Sequence, residues 1–350
     1  MDHARFAERE AHGVLDVRHG PDALQALSTG GFWAVVATFE GDVTAVRFEH
    51  VTTGAYAASP GPARAPIPAV AWRPLDRHWR TSLDRKAYVH AVEQVQRRIA
   101  AGTVYQVNVC RVLSHELAAE ADLDALDALL RHGNPAPHAA RIRCDAAGLD
   151  VVSASPELYL SRHGRRLVTR PIKGTATTAA AMLPKDHAEN VMIVDLMRND
   201  LSGVCEPGSV SVDGLCEIEE HPGLVHLVST VSGQQREDAG WAEVFAAAYP
   251  PGSVSGAPKS SALDAIRDLE TAQRGPYCGA VGWVDADRDE AVLAVGIRTF
   301  WAERDGTGRR WLRFGTGAGI TWQSDPEGEW AETELKAARL IGLAAGAVTP

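Results

Sequence analysis

Cysteines are scarce in this 350-residue sequence, and they form no metal-binding or redox motif. The five cysteines stand at positions 110, 144, 205, 216 and 278, without a CxxC pair and in odd number. Scattered cysteines of this kind indicate reduced, buried thiols in a cytoplasmic protein rather than a disulfide framework. No group of cysteine and histidine has the spacing of zinc ligands, so a zinc site is not expected.

The sequence also lacks basic clusters and membrane-spanning runs. Its formal net charge is −10, and an acidic chain without a basic stripe is not expected to bind nucleic acid. No apolar run has membrane-spanning length, and the polar N-terminus of mixed charge predicts no signal peptide. Hydrophobic residues make up 45% of the chain and charged residues 23%, which is typical of a globular protein. We therefore predict a cytoplasmic globular protein.

A proline-rich stretch, "ASPGPARAPIPAVAWRP", occupies 58–74. We place the main boundary there, so that 1–76 form a short strand-rich segment with its connection and 77–350 form the main domain. Apolar spacing predicts helices at 82–102, 122–133, 184–201 and about 326–345. Apolar runs predict strands at 209–213, 225–231, 278–284, 291–300 and 311–316. Long strands mixed with helices, without βαβ alternation, favour an α+β fold.

Two glycine-containing stretches lack the features of nucleotide-binding loops. "GTGAGI" at 315–320 has isoleucine in the sixth position of the GxGxxG pattern and no βαβ unit around it, although its bare amides could hold a carboxylate. In "GSVSGAPKSS" at 252–261, Ala-Pro separates Gly256 from Lys259, so the geometry of a phosphate loop fails. We interpret this second stretch as a helix entry that Ser255 caps.

Two pairs of acidic residues stand three positions apart within predicted helices, Asp186 with Glu189 and Glu329 with Glu332. Residues at this spacing share a helix face. Two such pairs suit Mg²⁺, which binds one or two carboxylates, keeps several waters and accepts oxygens from an anionic substrate. The alternative for each pair is an ordinary solvated helix face.

Three further residues occupy unusual settings for a titratable side chain. Glu157 in "SASPELYL" and His226 in "LVHLVST" lie in strand-like apolar stretches. Burial there would raise the pKa of Glu157 and make it a usable acid, whereas the alternative for His226 is an ordinary core histidine. Lys173 lies in the otherwise neutral "PIKGTATT". A nucleophilic lysine needs such a setting because it must lose its proton near neutral pH; the alternative is an inert lysine on a turn.

A series of motifs resembles the chorismate-utilising enzymes, which include component I of anthranilate synthase and of aminodeoxychorismate synthase, and isochorismate and salicylate synthases. The motifs are "YQVN" (105–108), "SPE" (155–157), "PIKGT" (171–175), "KDHAENVMIVDLMRND" (185–200), "HLVSTVSG" (226–233), "GSVSGAPK" (252–259), "GPYCGAVGW" (275–283), "GIRTF" (296–300), "GAGI" (317–320) and "EWAETELKAARL" (329–340). They extend over roughly three quarters of the chain. The resemblance implies a single chorismate-binding α+β domain, with two large, mostly antiparallel sheets facing each other and helices outside.

The resemblance also implies roles for individual residues. Glu189 and Glu332 resemble the ligands of a Mg²⁺ ion that holds the ring carboxylate of chorismate, with Asp186 and Glu329 beside them. Glu157 resembles the acid that helps the C4 hydroxyl to leave, and His226 is a further catalytic candidate. The implied substrate-binding residues are Thr175, Tyr277, Arg298, Gly317, Ala318, Gly319 and Lys336.

Lys173 distinguishes between members of the family. Members that aminate chorismate at C2 resemble "PIAGT" at this place, whereas those that aminate C4 resemble "PIKGT". For members with "PIKGT", the resemblance implies that the lysine attacks C2 as the C4 hydroxyl departs. Ammonia then enters at C4 and expels the lysine. Burial, or a nearby cation such as Arg170, would increase the neutral fraction of this amine. The resemblance therefore favours a Mg²⁺-dependent aminodeoxychorismate synthase component I, feeding 4-aminobenzoate and folate synthesis.

Other interpretations stay open at this point. They are anthranilate synthase component I, an isochorismate or salicylate synthase that uses water, and an inactive relative that only binds chorismate. Ammonia in this family usually comes from a separate glutamine amidotransferase, and no cysteine here stands in a nucleophile-elbow setting, so we expect such a partner. The N-terminal segment lacks the Leu-Glu-Ser motif of feedback-inhibited anthranilate synthases, which also favours the non-anthranilate interpretation.

Overall fold

A continuous apolar run near the N-terminus forms a strand that is buried on both faces. All six residues of "FWAVVA", Phe32–Ala37, are buried, as expected for a short run that is apolar at every position. The structure is a computed structural model, and it describes residues 1–54, 72–76, 78–176, 178–221 and 224–346. Most of the proline-rich stretch lies outside the described residues.

Strands and helices together make the α+β fold that the sequence predicts. The described strands are β1 (His3–Arg5), β2 (Arg9–His19), β3 (Phe32–Ala37), β4 (Val43–Thr53), β5 (Arg80–Thr81), β6 (Gln106–Glu116), β7 (His138–Cys144), β8 (Leu149–Ser155), β9 (Leu158–His163), β10 (Arg166–Arg170), β11 (Ile172–Ala176), β12 (Ser211–His221), β13 (Leu224–Gln234), β14 (Gly256–Ala257), β15 (Ala280–Asp285), β16 (Glu290–Val295), β17 (Thr299–Arg304) and β18 (Arg310–Ile320). The described helices are α1 (Gly20–Ala26), α2 (Arg85–Ala100), α3 (Leu123–Gly133), α4 (Pro184–Ser202), α5 (Trp241–Ala248), α6 (Lys259–Leu269) and α7 (Pro326–Ala344).

The described strands pair antiparallel in one hydrogen-bonded network with two halves. One half runs β12, β13, β10, β9, β16, β15, β3, β4 and β2, with β11 also on β13. The other runs β7, β8, β17, β18 and β6, with β5 and β14 on β6. Strand β1 joins the halves by pairing with both β2 and β7. The predicted α+β class and antiparallel pairing are therefore confirmed.

Helices pack against both halves of the strand network. Helices α1 and α4 contact the first half, and α2, α3, α6 and α7 contact the second. An apolar cluster between α3, α7 and the second half includes Leu126, Leu340, Phe300 and Phe314. No helix within the described ranges combines the length and apolar character needed to span a bilayer.

The local predictions for helices agree with the structure, and Asp84 caps α2 by accepting from the amide of Ala87. One strand prediction is wrong: 291–300 is two strands, because the chain leaves the ladder between β16 and β17. The capping prediction for Ser255 is also wrong, since its hydroxyl donates to the main-chain oxygen of Pro251 and Pro258 occupies the N-cap of α6. The predicted boundary at residue 76 stays a prediction, although β3 pairs with β15 and β1 with β7 across it.

Candidate active site

Lys173 lies at an irregular position of the ladder between β11 and β13, where the register shifts between Ile172 and Thr175. Gly174 follows with φ 87°, in the left-handed region that favours glycine. A Cβ at Gly174 would stand 2.9 Å from the Cβ of Asp186, so glycine allows β11 to approach the start of α4. The Nζ of Lys173 donates a hydrogen bond to the main-chain oxygen of Ser253 at 3.0 Å.

The environment of Lys173 favours its neutral form. Burial lowers the pKa of this amine, because removal from water disfavours the ammonium. Neighbouring carboxylates, Glu157 among them, act in the opposite direction but are outweighed. The cation that lowers the pKa further is Lys336. Arg170, which the sequence suggested for this role, pairs with Glu219, and its effect on Lys173 stays a prediction.

Glu157 is buried in the connection between β8 and β9. Its main-chain oxygen accepts from the amide of Val295 at 3.0 Å, which fixes the connection against the end of β16. Burial raises the pKa of its carboxyl, although the hydroxyl of Ser253, the Lys173 ammonium and the amide of Ile172 partly offset this. A carboxyl with a raised pKa keeps its proton to higher pH, so Glu157 is suited to act as an acid.

Arg298 occupies the break between β16 and β17. Its φ of 52° lies in the left-handed region, which side-chain-bearing residues rarely adopt, and its main-chain oxygen accepts from the amide of Ala154 at 3.0 Å. Burial lowers the pKa of its guanidinium, Arg339 lowers it further and Glu157 raises it. The break thus brings Arg298 into the electrostatic neighbourhood of Glu157, and its predicted role in substrate binding stays a prediction.

Gly317 and Gly319 of β18 direct their backbone amides away from β6. They stand opposite Cys110 and Asn108 in the antiparallel ladder. The amide of Cys110 donates to a carboxylate oxygen of Glu270, and the amide of Asn108 donates to the main-chain oxygen of Ser255, so neither amide bonds to β18. Opposed residues in an antiparallel ladder point their N–H and C=O groups either toward each other or away from each other. The N–H groups of Gly317 and Gly319 therefore point away from β6.

The other edge of β18 lacks a strand partner at these glycines. Pairing with β17 ends at Phe314, so the described strands offer no ladder acceptor to the amides of Gly317 and Gly319. The Nζ of Lys336 donates to the main-chain oxygen of Gly317 at 3.1 Å, and Ala318 is buried between the glycines. Two free amides beside a lysine fit the predicted anchor for a substrate carboxylate.

Tyr277, His226 and Thr175 lie close to these groups. Tyr277 is buried, with its ring against the backbone of Gly315 and its hydroxyl 3.9 Å from the Sγ of Cys110. His226 is buried on β13 and stands opposite Thr175 of β11 in the ladder. The placement of all three near Lys173 or β18 is compatible with the predicted roles, which stay predictions.

The first turns of α4 carry Asp186 and Glu189. Asp186 accepts from the amide of Leu183 at 2.9 Å and so closes the start of the helix. Buried Asn190 fixes the next turn by donating to the main-chain oxygen of Leu227 on β13 at 3.1 Å. Burial raises the pKa of Glu189, and the carboxylates of Asp186 and Glu332 raise it further.

The first turns of α7 carry Glu329 and Glu332. Glu329 accepts from the hydroxyl of Ser324 at 2.6 Å, and burial raises its pKa. Although burial also acts on Glu332, its ion pair with Lys336 at 2.6 Å, together with the charges of Lys185 and Lys173, lowers its pKa. The acidic residues at the starts of α4 and α7 therefore interact electrostatically with one another and with three lysines, Lys173, Lys185 and Lys336.

The carboxylates at the starts of α4 and α7 repel one another. In the part of the chain that the structure describes, no three His, Cys, Asp or Glu side chains form a metal-binding group. Glu189 nevertheless interacts unfavourably with Glu332 across the two helices, and a divalent cation between them would relieve this repulsion. One or two carboxylates with water and substrate oxygens are enough for Mg²⁺, so Glu189 and Glu332 can supply the protein ligands.

Sequence reasoning did not single out Ser253 or Asn108, although both lie in quoted motifs. The main-chain oxygen of Ser253 accepts from Lys173 and, at 3.0 Å, from the Nδ2 of Asn108. A serine in a turn and an asparagine in a strand have many ordinary roles. Only the three-dimensional contact between "GSVSGAPK", "YQVN" and "PIKGT" reveals this arrangement.

Comparisons with known proteins show which family this chain belongs to. The model of a family described as chorismate binding enzyme matches residues 47–342. The chain is 36% identical over 269 residues to anthranilate synthase component 1 3 of Haloarcula marismortui, covering 73% of this chain and 51% of the relative. It is 35% identical over 289 residues to aminodeoxychorismate synthase component 1 of Klebsiella aerogenes, covering 78% of this chain and 61% of the relative. The chain thus spans only part of the length of these relatives.

The fold resembles that of a solved structure over nearly its full length. Anthranilate synthase component I from Streptococcus pneumoniae superposes with a TM-score of 0.79, covering 97% of this chain and 92% of that one, at 22% sequence identity. At this identity the likeness concerns the fold. It shows that the strand network and helices described above form a known architecture.

Proposed function

Because this chain belongs to the chorismate-binding enzyme family, we propose that it is component I of an aminodeoxychorismate synthase. It would convert chorismate and ammonia to 4-amino-4-deoxychorismate and water, for 4-aminobenzoate and folate synthesis. The observation that carries this choice is Lys173, whose buried amine has a lowered pKa and lies in the electrostatic neighbourhood of Glu157.

The chemistry assigns one step to each of these two side chains. The neutral amine of Lys173 attacks C2 of chorismate, while Glu157 protonates the C4 hydroxyl, which leaves as water. Ammonia then bonds to C4 and the lysine leaves C2, which regenerates the free amine. The enolpyruvyl ether is untouched throughout, in contrast to anthranilate formation.

The remaining groups bind and orient the substrate in this proposal. Arg298, Lys336 and the amides at Gly317 and Gly319 hold its carboxylates, because each offers positive charge or free N–H donors. Mg²⁺, bound by Glu189 and Glu332 with Asp186 and Glu329 beside them, would supply a positive charge for the ring carboxylate.

Anthranilate synthase component I is the second candidate, since a relative of that name is as similar to this chain as the aminodeoxychorismate synthase relative. Lys173 favours the first candidate, because enzymes that aminate C2 resemble "PIAGT" at this place. An isochorismate or salicylate synthase would use water instead of ammonia, and an inactive relative would only bind chorismate.

Product analysis tests the proposal. The purified chain is incubated with chorismate, an ammonium salt and Mg²⁺, and the products are identified by mass spectrometry and NMR. We expect 4-amino-4-deoxychorismate with its enolpyruvyl group intact. Anthranilate would indicate amination at C2, isochorismate or salicylate would indicate attack by water, and bound but unconverted chorismate would indicate an inactive relative.

The variant Lys173→Ala tests whether the enzyme aminates chorismate at C4 by the lysine-dependent route. We expect it to bind chorismate but to lose most 4-amino-4-deoxychorismate formation, because the nucleophile is missing while the rest of the site is intact. Wild-type protein given chorismate without ammonia should accumulate an adduct on the peptide that contains Lys173, detected by intact mass and peptide mapping. Formation of 4-amino-4-deoxychorismate by Lys173→Ala at the wild-type rate would contradict the proposal.

A further inference from the structure

Two buried side-chain amides on β6 present carbonyl oxygens with unused acceptor capacity. They belong to Gln106 and Asn108, which are 1% and 8% exposed. Within the described part of the chain, the Oε1 of Gln106 and the Oδ1 of Asn108 accept no hydrogen bond. An unpaired acceptor at this depth is costly, so a ligand that donates to both oxygens would be bound favourably.

Both amides lie on one face of β6, because residues two apart in a strand point the same way. They border Gly319 of β18, which stands opposite Asn108 in the ladder. A Cβ at Gly319 would come within 2.9 Å of the Oδ1 of Asn108 and closer still to the Nε2 of Gln106. The amides therefore lie directly against one of the glycines that are proposed to hold a substrate carboxylate.

The Asn108 amide is also tied to the proposed nucleophile. Its Nδ2 donates to the main-chain oxygen of Ser253 at 3.0 Å. That oxygen can only accept, so Oδ1 is the atom that stays unpaired. The same Ser253 oxygen accepts from the Nζ of Lys173 at 3.0 Å. The unpaired oxygen of Asn108 therefore lies beside Lys173.

The chemistry of the reactants limits what these two oxygens can bind. The carboxylates and the ether oxygen of chorismate are acceptors only, so they gain no hydrogen bond from an amide oxygen. In the proposed reaction only the C4 hydroxyl and ammonia can donate. Glu157 is proposed to act on the hydroxyl, so ammonia is the donor that remains. It can give one N–H to each oxygen and keep its lone pair for the ring.

The place next to Lys173 suits a second nucleophile. Lysine is proposed to attack C2 and ammonia C4, and one ring carbon separates these two positions. The two nitrogen atoms must therefore be held close to each other on the same substrate. Orientation of a reactant in this way contributes strongly to rate, and the shared contact of Asn108 and Lys173 with Ser253 provides it.

From these observations we infer that Gln106 and Asn108 form a binding subsite for ammonia, with Gln106 Oε1 and Asn108 Oδ1 as its acceptors. The inference rests on the proposed function for the use of ammonia as a nucleophile. Formation of anthranilate also uses ammonia, so the subsite can be tested whichever ring carbon is aminated.

The test measures the KM for ammonia, with the ammonium salt varied at fixed pH and saturating chorismate. Gln106→Met removes the Oε1 acceptor but keeps a side chain of similar length. The KM for ammonia should rise about threefold to tenfold, the range for one neutral hydrogen bond, with the KM for chorismate within about twofold. Asn108→Ala should also raise the KM for ammonia, and the double variant should raise it further.

A two-step experiment separates ammonia binding from general loosening of the site. Enzyme and chorismate without ammonia first form the proposed adduct on Lys173, and an ammonium salt is then added while intact mass is followed. Gln106→Met should form the adduct at the wild-type rate but need more ammonia to discharge it. A general structural defect would slow both steps and would contradict the subsite.

Gln235→Met is the matched control. Gln235 is 3% exposed, and its Oε1 is likewise unpaired among the described residues. It follows the last residue of β13, whereas His226 lies near the start of that strand. The KM for ammonia should be unchanged in this variant, and a rise equal to that of Gln106→Met would overturn the inference. Thermal unfolding of every variant shows which of them fold.

The outcomes separate this inference from the proposed function. If wild type makes 4-amino-4-deoxychorismate but Gln106→Met has an unchanged KM for ammonia, the inference is wrong and the function stands. A raised KM for chorismate with an unchanged KM for ammonia would assign the oxygens to the C4 hydroxyl and also overturn it. If wild type makes anthranilate while Gln106→Met raises the KM for ammonia, the proposed function fails and the subsite is supported. Isochorismate formed without use of ammonia would overturn both. Should Gln106→Met not fold, the KM for ammonia of Asn108→Ala decides in the same way.

Discussion

At the scale of single residues, burial decides how Lys173 and Glu157 can react. The same loss of water lowers the pKa of the amine and raises that of the carboxyl, because both charged forms are poorly solvated in the site. Each side chain is thereby moved toward its neutral form near neutral pH. Neutral amine and protonated carboxyl are the forms that a nucleophile and an acid require.

Glu157→Gln tests the acid directly. The amide keeps the shape of the side chain but cannot donate as an acid, so kcat should fall by about 10²–10⁴. Stopped assays of chorismate consumption give the rate, and circular dichroism confirms the fold. A wild-type kcat in this variant would show that another group, such as His226, protonates the leaving hydroxyl.

His138 on β7 gives a prediction for stability against pH. Burial, and then the charge of Arg170, lower its pKa to about 4. A histidine with a depressed pKa contributes stability above its unfolded value of about 6.5, and this stability is lost as the pH falls toward the folded value. Between pH 7 and about pH 5, wild type should lose about 2 kcal/mol of unfolding free energy beyond the loss in His138→Gln. Urea unfolding at both pH values measures this difference, and equal losses in the two proteins would contradict the assignment.

At the scale of elements, the starts of α4 and α7 form the candidate metal site. Asp186 closes the first turn of α4, and Asn190 ties the next turn to β13. Asp325 caps α7 by accepting from the amide of Gly328 at 2.8 Å. The carboxylates are thus held on two fixed helix ends, which keeps them near each other despite their repulsion.

Glu332→Gln tests the metal site. It removes one of two proposed Mg²⁺ ligands and should abolish turnover. The thermal unfolding temperature should change little, because the Glu332 side chain is 45% exposed and its ion pair with Lys336 is solvent-accessible. Isothermal titration with Mg²⁺ should show lost or much weakened binding. Glu327→Gln is the matched control on the same helix, since Glu327 forms an exposed pair with Arg85 and should leave activity unchanged. Full wild-type activity in excess EDTA would contradict a metal requirement.

At the scale of the whole molecule, β1 links the two halves of the strand network. Its residue Arg5 pairs with Asp124 of α3 at 3.0 Å, and Asp124 also pairs with fully buried Arg141 of β7 at 2.6 Å. Residues at the start of the chain therefore tie α3 and β7 to the first half of the strand network.

The source of ammonia is also a question about the whole protein. Since no cysteine stands in a nucleophile-elbow setting, we expect the purified chain to use ammonium salts but not glutamine. Coupled assays with either nitrogen source at matched concentration measure this. Adding a glutamine amidotransferase subunit should restore glutamine-dependent turnover, and efficient use of glutamine by the chain alone would contradict the need for a partner.

The sequence by itself determined the features that depend on neighbouring residues. Helix limits follow from apolar spacing and caps, so α2, α4 and α7 agree with prediction within a few residues. The acidic pairs on α4 and α7 follow from helix geometry. The motif resemblance identified Lys173 and Glu157, because their local sequence is characteristic even though the reasons for it are not visible in one dimension.

Only the tertiary structure decided the features that depend on distant residues. Strand partners such as β1 with β7 and β3 with β15 are far apart in the chain, and local apolar patterns do not specify which strands pair. The segment around Arg298 has the sequence pattern of one continuous apolar strand, although the structure breaks there. Lys336, which lowers the pKa of Lys173, is far from it in the sequence. Burial and electrostatic neighbours are set by chain folding, which is why the contact between Ser253 and Lys173 became recognisable only in three dimensions.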